Sequence, residues 1–221
     1  MHPDCLPRDG RRTLAALKGP VRAHGFILAG GTALALQLGH RISEDLDFFS
    51  AAPFSTDALY REVKGRKLSP SVLQEAEGTL TVDAAGVKVS FFHHPYPFVG
   101  KLAHFGGIPL ASITDIASMK VIAVSQRGAR RDFIDLFFIL KDTPFRKVAE
   151  NMVARYGAAR ISPVGIGKSL VFFDDAESDP DPRYRGQGPD WESVKRFFVR
   201  NVRQMVLDLE AARSDGERPP G

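Results

Sequence analysis

The stretch LAGGTALALQLGHRISEDLDFFS, residues 28–50, contains two features that decide the fold. The first is the double glycine Gly30 and Gly31, which separates the apolar run GFIL from a helical run beginning at Thr32. Glycines between a strand and a helix let the backbone bend sharply and approach a ligand closely, and the amides at the helix start favour an anion. The pattern therefore predicts a phosphate-binding turn.

The second feature is the pair Asp45 and Asp47 at the end of the same stretch. DLDFF alternates polar and apolar residues, which is typical of a strand with one buried face, so both carboxylates should leave the same face. Mg²⁺ prefers such oxygen ligands and is usually held by one or two carboxylates together with substrate phosphates. A phosphate turn beside a carboxylate pair favours phosphoryl or nucleotidyl transfer, in which positioning and charge neutralisation supply most of the catalysis.

The remainder of the N-terminal half predicts a small mixed sheet with flanking helices. Residues 9–24 have the spacing of a helix, and GFILAGG predicts a short buried strand that runs into the glycine turn. STDALYREVKGR predicts a capped helix. The segment SVLQEAEGTLTVDAAGVKVSFFHH predicts two or three antiparallel strands, broken at Gly78 and at residues 84–86.

From residue 109 onward the pattern is mostly helical. SITD has the Ser-x-x-Asp spacing of a capping box, which predicts a helix that begins there and carries Lys120. Further helices are predicted in ARRDFIDLFFIL, over residues 144–157, and in the long amphipathic segment WESVKRFFVRNVRQMVLDLEAAR. The acidic, turn-rich segment between the last two predicts a surface loop.

These elements predict an α+β protein with three parts. We expect an α/β lobe over residues 1–108, a helical lobe over 109–213 and a disordered tail over 214–221, with the active site in a cleft between the lobes.

Composition and charge narrow the class of protein. The net charge of +4 allows a polyanionic partner such as RNA or nucleotide phosphates. The single cysteine, Cys5, excludes a disulfide framework and fits a reducing compartment. We find no signal peptide and no apolar run near the roughly 18 residues of a membrane helix, so we expect a cytoplasmic protein without a membrane partner.

Two segments resemble the AbiEii-type nucleotidyltransferases of the polymerase-beta-like superfamily. The first motif of that family is Gly-Gly-Thr/Ser, a helix, then Arg-x-Ser-x-Asp-Leu/Ile-Asp, and it is matched here by Gly30, Gly31, Thr32, Arg41, Ser43, Asp45 and Asp47. ASMKVIAVSQRGARRDFIDLFFIL resembles the second block, a lysine on one helix and Lys/Arg-Asp-x-x-Asp-Leu on the next, matched by Lys120, Arg131, Asp132, Asp135 and Leu136. Similarity in character extends from about residue 25 to 210.

The resemblance implies a polymerase-beta-like nucleotidyltransferase fold and an enzyme that, with Mg²⁺, transfers a nucleotide from a nucleoside triphosphate to an acceptor. In toxin-like relatives the acceptor can be RNA, at the 3′ end of a transfer RNA, and a cognate antitoxin protein is an expected partner. Two alternatives are a small-molecule nucleotidyltransferase of the antibiotic-modifying kind, and a nucleotide-binding protein with weakened catalysis.

The resemblance also implies roles for individual residues. The nucleotide would be bound by Gly30, Gly31, Thr32, Arg41, Ser43 and Lys120, the metal by Asp45 and Asp47, and catalysis would use Asp45, Asp47, Lys120, Asp132 and Asp135. Asp132 or Asp135 would assist at the acceptor hydroxyl or give polar support to its helix.

The residues themselves leave other roles open for the second block. Lys120 lies in the apolar run IASMKVIAV, where a buried charge needs an anion nearby, although its head could instead extend to water. Asp132 could complement the start of its helix, and Asp135 could pair with Arg131.

This chain departs from the family pattern at the third carboxylate. Many relatives have an acid in a GVKV-acid-F strand, whereas this chain reads GVKVSFF, with Ser90 at that place. Asp132 or Asp135 could replace the acid, which we favour; Asp83 could reach in; or the chemistry could be weakened.

Two further patterns point away from function. GIGKS at residues 165–169 lacks the first glycine of a Walker A loop, because Ser162 stands there, and we interpret it as an ordinary loop. His93, His94 and His104 are expected to be structural or exposed, because neighbouring histidines on a strand point to opposite faces.

Overall fold

The computed structural model describes residues 1–66 and 68–217, and this part of the chain divides into two compact units. The first unit consists of Met1–Pro97, Lys101–Ser112 and Arg183–Gly186; the second consists of Phe98–Gly100, Ile113–Pro182 and the residues from Gln187 onward. Every strand of the described residues lies in the first unit, and the second is helical. The α+β class predicted from the sequence is confirmed.

The first unit is a seven-stranded mixed sheet with four helices. Its helices are α1 (Arg8–Ala16), α2 (Lys18–Ala23), α3 (Gly30–Leu38) and α4 (Thr56–Lys64). Its strands are β1 (Ile27–Ala29), β2 (Leu46–Ser50), β3 (Ser71–Ala76), β4 (Thr79–Ala84), β5 (Val87–His93), β6 (Ala103–Phe105) and β7 (Ile108–Leu110). The strand order is β3-β4-β5-β2-β1-β7-β6, so β2 lies at the centre. β2 carries Asp47, whereas Asp45, which the sequence placed on the same strand, immediately precedes it.

The register of β2 places its second aspartate between two neighbours. β2 is antiparallel to β1 and parallel to β5, and Asp47 is opposite Ala29 on one side and Ser90 on the other. Along β2, Leu46 and Phe48 are buried while Asp47 is partly exposed, as the alternation in DLDFF predicts. The aspartate is therefore held by a central strand whose other face is in the core.

Aromatic packing anchors β2 from that buried face. Phe48 stacks on Phe91 of β5 with ring centroids 5.3 Å apart, and Phe26 contacts the same ring at 5.0 Å. All three side chains have no exposed surface. Because protein cores are close-packed, these rings fix the position of β2 within the sheet.

The second unit contains six α-helices among the described residues. They are α5 (Ile113–Arg127), α6 (Arg130–Asp142), α7 (Phe145–Tyr156), α8 (Pro163–Leu170), α9 (Asp174–Glu177) and α10 (Trp191–Gly216). None of the helices in the described residues is both long and apolar enough to cross a membrane.

Several boundaries differ from the sequence interpretation. The segment GIGKS is not a loop but lies in α8. Pro163 occupies the first turn of this helix, and the Ser162 hydroxyl accepts a hydrogen bond from the amide of Gly165. This N-cap and the proline favour a helix in spite of the two glycines. Helix α10 continues through Gly216, beyond the predicted start of a disordered tail at 214, and residues 218–221 lie outside the described residues.

The predicted lobe boundary between residues 108 and 109 falls inside β7, a strand that the sequence did not indicate. β7 pairs with β1 in parallel, Leu28 being opposite Leu110, so the chain stays in the sheet through Leu110 before α5 begins. A strand of three residues that contains Pro109 has too little alternation to be recognised in a sequence.

We predict that Phe48→Ala lowers the free energy of unfolding by about 3–5 kcal/mol, because it leaves a cavity beneath the central strand. Urea denaturation measures the loss. Phe49→Ala is the matched control, since Phe49 is on the other face of β2 and partly exposed. Equal losses in the two variants would contradict the assignment of the buried face.

Candidate functional site

The glycine turn brings the backbone against a carboxylate. Gly30 has φ +65°, in the left-handed region that side chains disfavour, and it begins α3 directly after β1. A Cβ added at Gly30 would lie 3.0 Å from Oδ2 of Asp47. Glycine is therefore required at this position both for its backbone conformation and for the close approach of Asp47.

The second glycine makes room for two other residues of the motif. A Cβ added at Gly31 would collide with the Arg41 guanidinium and lie 3.3 Å from the Ser43 hydroxyl. Arg41 is 6% exposed and its Nη1 donates to the carbonyl of Ile42 at 3.1 Å. A buried guanidinium thus lies directly against the turn that the sequence predicts to bind phosphate.

Thr32 joins the turn to the segment that leads into β2. Its Oγ1 is 2.8 Å from the Ser43 hydroxyl and also within hydrogen-bonding distance of the backbone carbonyl of Asp45. These contacts fix the chain immediately before β2, so Thr32 and Ser43 orient Asp45, the residue that directly precedes the strand. The seven residues of the first motif therefore meet in one place within the first unit.

A segment from much later in the chain completes the surroundings of the motif. The amide of Ile42 donates to the carbonyl of Arg183 at 2.8 Å, the amide of Arg185 donates to the carbonyl of His40 at 3.0 Å, and Arg41 and Tyr184 form an isolated bridge. Sequence reasoning assigned this part of the chain to a surface loop and missed the pairing. The backbone on both sides of Arg41 is held by these bonds.

The donor set of the first unit suits a magnesium ion bound together with a phosphate. Asp45 and Asp47 are both partly exposed, and their oxygens are the hard ligands that Mg²⁺ prefers. No group of three His, Cys, Asp or Glu side chains that could hold a metal occurs in residues 1–66 and 68–217. Two carboxylates fit an ion whose remaining ligands come from substrate oxygens and water.

Ser90, the residue at which the family resemblance predicts a third carboxylate, lies next to Asp47. It is directly opposite Asp47 in the parallel pairing of β2 with β5 and is 2% exposed. Asp83, the other candidate on this sheet, is paired with Lys88 in β4–β5 and its Oδ1 accepts from the amide of Gly86 at 2.9 Å. Asp83 therefore stabilises the turn between these strands.

The residues of the second motif form a buried charge cluster in the second unit. Nζ of Lys120 lies 2.6 Å from Oδ1 of Asp132 and 2.6 Å from Oδ2 of Asp135. Both aspartates have no exposed surface, and Lys120 is 6% exposed. The lysine thus has the anionic partners that its apolar helix demands, and they come from the next helix, α6.

A second cation acts on the same cluster. Nε of Arg127 donates to Oδ2 of Asp132 at 2.8 Å, and its Nη2 donates to Oδ1 at 3.2 Å. Burial raises the pKa of Asp132, but the charge of Lys120 and the hydrogen bonds and charge of Arg127 outweigh it and hold the pKa below the usual 3.8. Asp132 is therefore ionised at neutral pH. Arg131, the cation predicted from the sequence, is exposed.

A second buried polar cluster in this unit was not anticipated. Asp115 accepts hydrogen bonds from the amides of Val99 and Gly100 and from Nδ2 of Asn151, and its backbone carbonyl accepts from Nη1 of Arg155. The only sequence signal was the capping-box aspartate of SITD. In the structure its carboxylate binds the 98–100 segment, which indicates a structural role.

We predict that Asp132→Asn lowers the free energy of unfolding by about 3–5 kcal/mol, because it removes one charge of a buried ion pair and leaves the buried Lys120 with only Asp135 as a carboxylate partner. The sign of the pH dependence follows from the lowered pKa. The stabilisation is present above the unfolded value of 3.8 and is lost as pH falls through the lower folded value, so the variant should lose less stability on acidification. Denaturation at neutral and acid pH measures both effects.

Asp142→Asn is the matched control, since Asp142 ends the same helix and is exposed. An equal loss in both variants, or an unchanged acid dependence in Asp132→Asn, would contradict a stabilising role for the cluster.

The chain matches a known family and known relatives. The model of the nucleotidyl transferase AbiEii toxin family, of the Type IV TA (toxin–antitoxin) system, matches residues 12–94 and 79–213. The uncharacterized protein aq_aa25 of Aquifex aeolicus (strain VF5) is 34% identical over 206 residues, which cover 91% of this chain and 98% of that protein.

Solved structures show the same fold. JHP933 from Helicobacter pylori has a TM-score of 0.57 and 18% identity, covering 94% of each chain. MenT4, a nucleotidyltransferase toxin from Mycobacterium tuberculosis H37Rv, has a TM-score of 0.54 and 16% identity, covering 94% of this chain and 92% of that one. At these identities the likeness shows the fold alone. The family matches together span most of the sequence, and the chain therefore belongs to the AbiEii family of nucleotidyltransferase toxins.

Proposed function

We propose that this chain is a cytoplasmic, magnesium-dependent nucleotidyltransferase that transfers a nucleotide from a nucleoside triphosphate to RNA, with the 3′ end of a transfer RNA as acceptor. The observation that carries the proposal is the convergence of the first motif, in which Asp47 lies against Gly30 and Arg41 lies against Gly31. The description of the family as part of a toxin–antitoxin system supports a cognate antitoxin protein as a partner.

Each part of this turn has a distinct role in the proposal. The amides at the start of α3 and the Arg41 guanidinium hold the phosphates, and Thr32 and Ser43 keep that arrangement rigid. Asp45 and Asp47 would hold the metal ion, which neutralises charge on the phosphates when bound. In the transfer, the acceptor oxygen bonds to the α-phosphorus, pyrophosphate leaves and the proton of the acceptor hydroxyl is released.

The second motif has a supporting role in the proposal. The resemblance implies that Lys120 contacts the triphosphate, and that Asp132 or Asp135 either assists at the acceptor hydroxyl or gives polar support. Their full burial and their contacts with Lys120 favour support: we assign Asp132 and Asp135 as positioning residues for the Lys120 ammonium. Neither aspartate then takes the role of the third acid, and the position predicted for that acid is occupied by Ser90.

The direct test is transfer from each labelled nucleoside triphosphate, with Mg²⁺ and total cellular RNA, by the wild-type chain and by Asp47→Asn. We expect label in RNA that depends on Mg²⁺ and is lost in Asp47→Asn. Glu44→Gln is the matched control, because Glu44 is an exposed neighbouring acid that pairs with Arg183, and it should retain transfer.

Other outcomes distinguish the alternatives. Label found only in small molecules would replace RNA by a small-molecule acceptor. Binding of the triphosphate without any transfer would indicate a nucleotide-binding protein with weakened catalysis, an alternative that the serine beside Asp47 specifically favours.

We predict that Ser90→Asp lowers the Mg²⁺ concentration needed for half-maximal transfer at least tenfold, because it adds a carboxylate directly opposite Asp47. The Mg²⁺ concentration for half-maximal transfer measures the change. Ser90→Asn is the isosteric neutral control and should not lower it. No change in Ser90→Asp, with the fold intact by circular dichroism, would contradict the placement of the third-acid position at residue 90.

A further inference from the structure

The long final helix presents a row of arginines on its exposed side. Arg196, Arg200 and Arg203 are all exposed, at spacings of four and three residues, which places them on one side of α10. The opposite side packs into the second unit through buried residues that include Phe198 and Met205. We call Arg196, Arg200 and Arg203 the arginine row.

Few carboxylates lie close enough to neutralise the positive charges of the arginine row. Within residues 1–66 and 68–217, neither Arg200 nor Arg203 has a carboxylate oxygen within 4.0 Å, and Arg196 is 3.8 Å from Oδ1 of Asp190 near the helix start. By contrast, Nε of Arg213 on the same helix is 3.0 Å from Oε1 of Glu217. The row therefore carries net positive charge that the fold itself does not use.

The geometry suits consecutive phosphates of a polynucleotide. With a rise of about 1.5 Å per residue, Arg196 and Arg200 are about 6 Å apart along the helix axis, and Arg203 is about 4.5 Å further on. The planar guanidinium matches phosphate oxygens in a bidentate manner and is weakly hydrated, which makes arginine the preferred residue for this contact. Exposed Val199 and Leu207 flank the row and offer apolar surface to sugars and bases.

A second copy of this chain does not fit the same surface. Two-fold antiparallel packing of α10 about Arg200 would bring the two Arg200 side chains together and place Arg196 within one residue of Arg203 of the other copy. Like charges across an interface are strongly unfavourable. The charge therefore favours an anionic occupant.

We propose that the arginine row binds the sugar-phosphate backbone of the RNA acceptor. The inference rests on the proposed function, since it supplies a binding surface for the substrate class named there. It adds residues that neither sequence motif contains.

The test measures binding of a fluorescently labelled single-stranded RNA by anisotropy, without nucleotide or Mg²⁺, over a range of salt concentrations. The variant is Arg196→Gln, Arg200→Gln and Arg203→Gln combined. Each phosphate contact with a single strand contributes about 0.7 to the slope of log affinity against log salt, so the variant should lose about 2 from that slope and bind more weakly at every salt concentration.

The matched control removes the same charge elsewhere. Arg8, Arg12 and Arg22 are exposed on α1 and α2 of the first unit, and their combined replacement by Gln should leave the slope unchanged. Circular dichroism and thermal unfolding establish that both variants fold. Equal slopes for the wild type and the arginine-row variant would overturn the inference, and so would equal losses in the two variants.

Two further measurements separate this inference from the proposed function and from another partner. Asp47→Asn should lose transfer yet keep the wild-type salt slope, so failure of catalysis and failure of RNA binding are distinguishable. Polyglutamate that displaces the RNA as effectively as unlabelled RNA at equal charge would overturn the inference in favour of an acidic protein partner.

Discussion

The close approach of the Asp47 carboxylate to Gly30 is the constraint on which the first unit depends. It requires a residue without a side chain at the start of α3, a strand at the sheet centre to hold the carboxylate, and buried aromatic rings beneath that strand. Any change that moves β2 relative to α3 alters this contact. The core of the sheet and the chemistry of the motif are therefore coupled through one strand.

The charge cluster of the second unit has a different physical role. Two carboxylates and a lysine buried together are costly to desolvate, and such clusters are weak contributors to net stability compared with apolar packing. Their value is geometric, because every partner restricts the others. Lys120, bound by Asp132 and Asp135, has one defined direction for its ammonium where an isolated lysine would have many.

Short-range patterns predicted much of this structure. The first strand, the glycine turn, the helix and the strand that carries Asp47 could be predicted from residues 28–50, because strands and helices have different periodicities and the glycines mark the turn between them. The apolar surroundings of Lys120 indicated an anion, and the structure supplies Asp132 and Asp135 from the next helix. Long-range pairing could not be predicted from the sequence. β7 pairs with β1, and Ile42 with Arg183, through backbone hydrogen bonds, which do not depend on a pattern of side chains.

The pairing of residues 183–186 with the segment around Arg41 has a consequence for the gene as well as for the protein. The first unit is discontinuous along the chain, with its last piece encoded after most of the second unit. A frameshift or stop codon just upstream of Arg183 would leave all strands of the sheet intact while removing the backbone partners of His40 and Ile42. Late truncations should therefore damage the glycine-turn motif, even though that motif is encoded near the start.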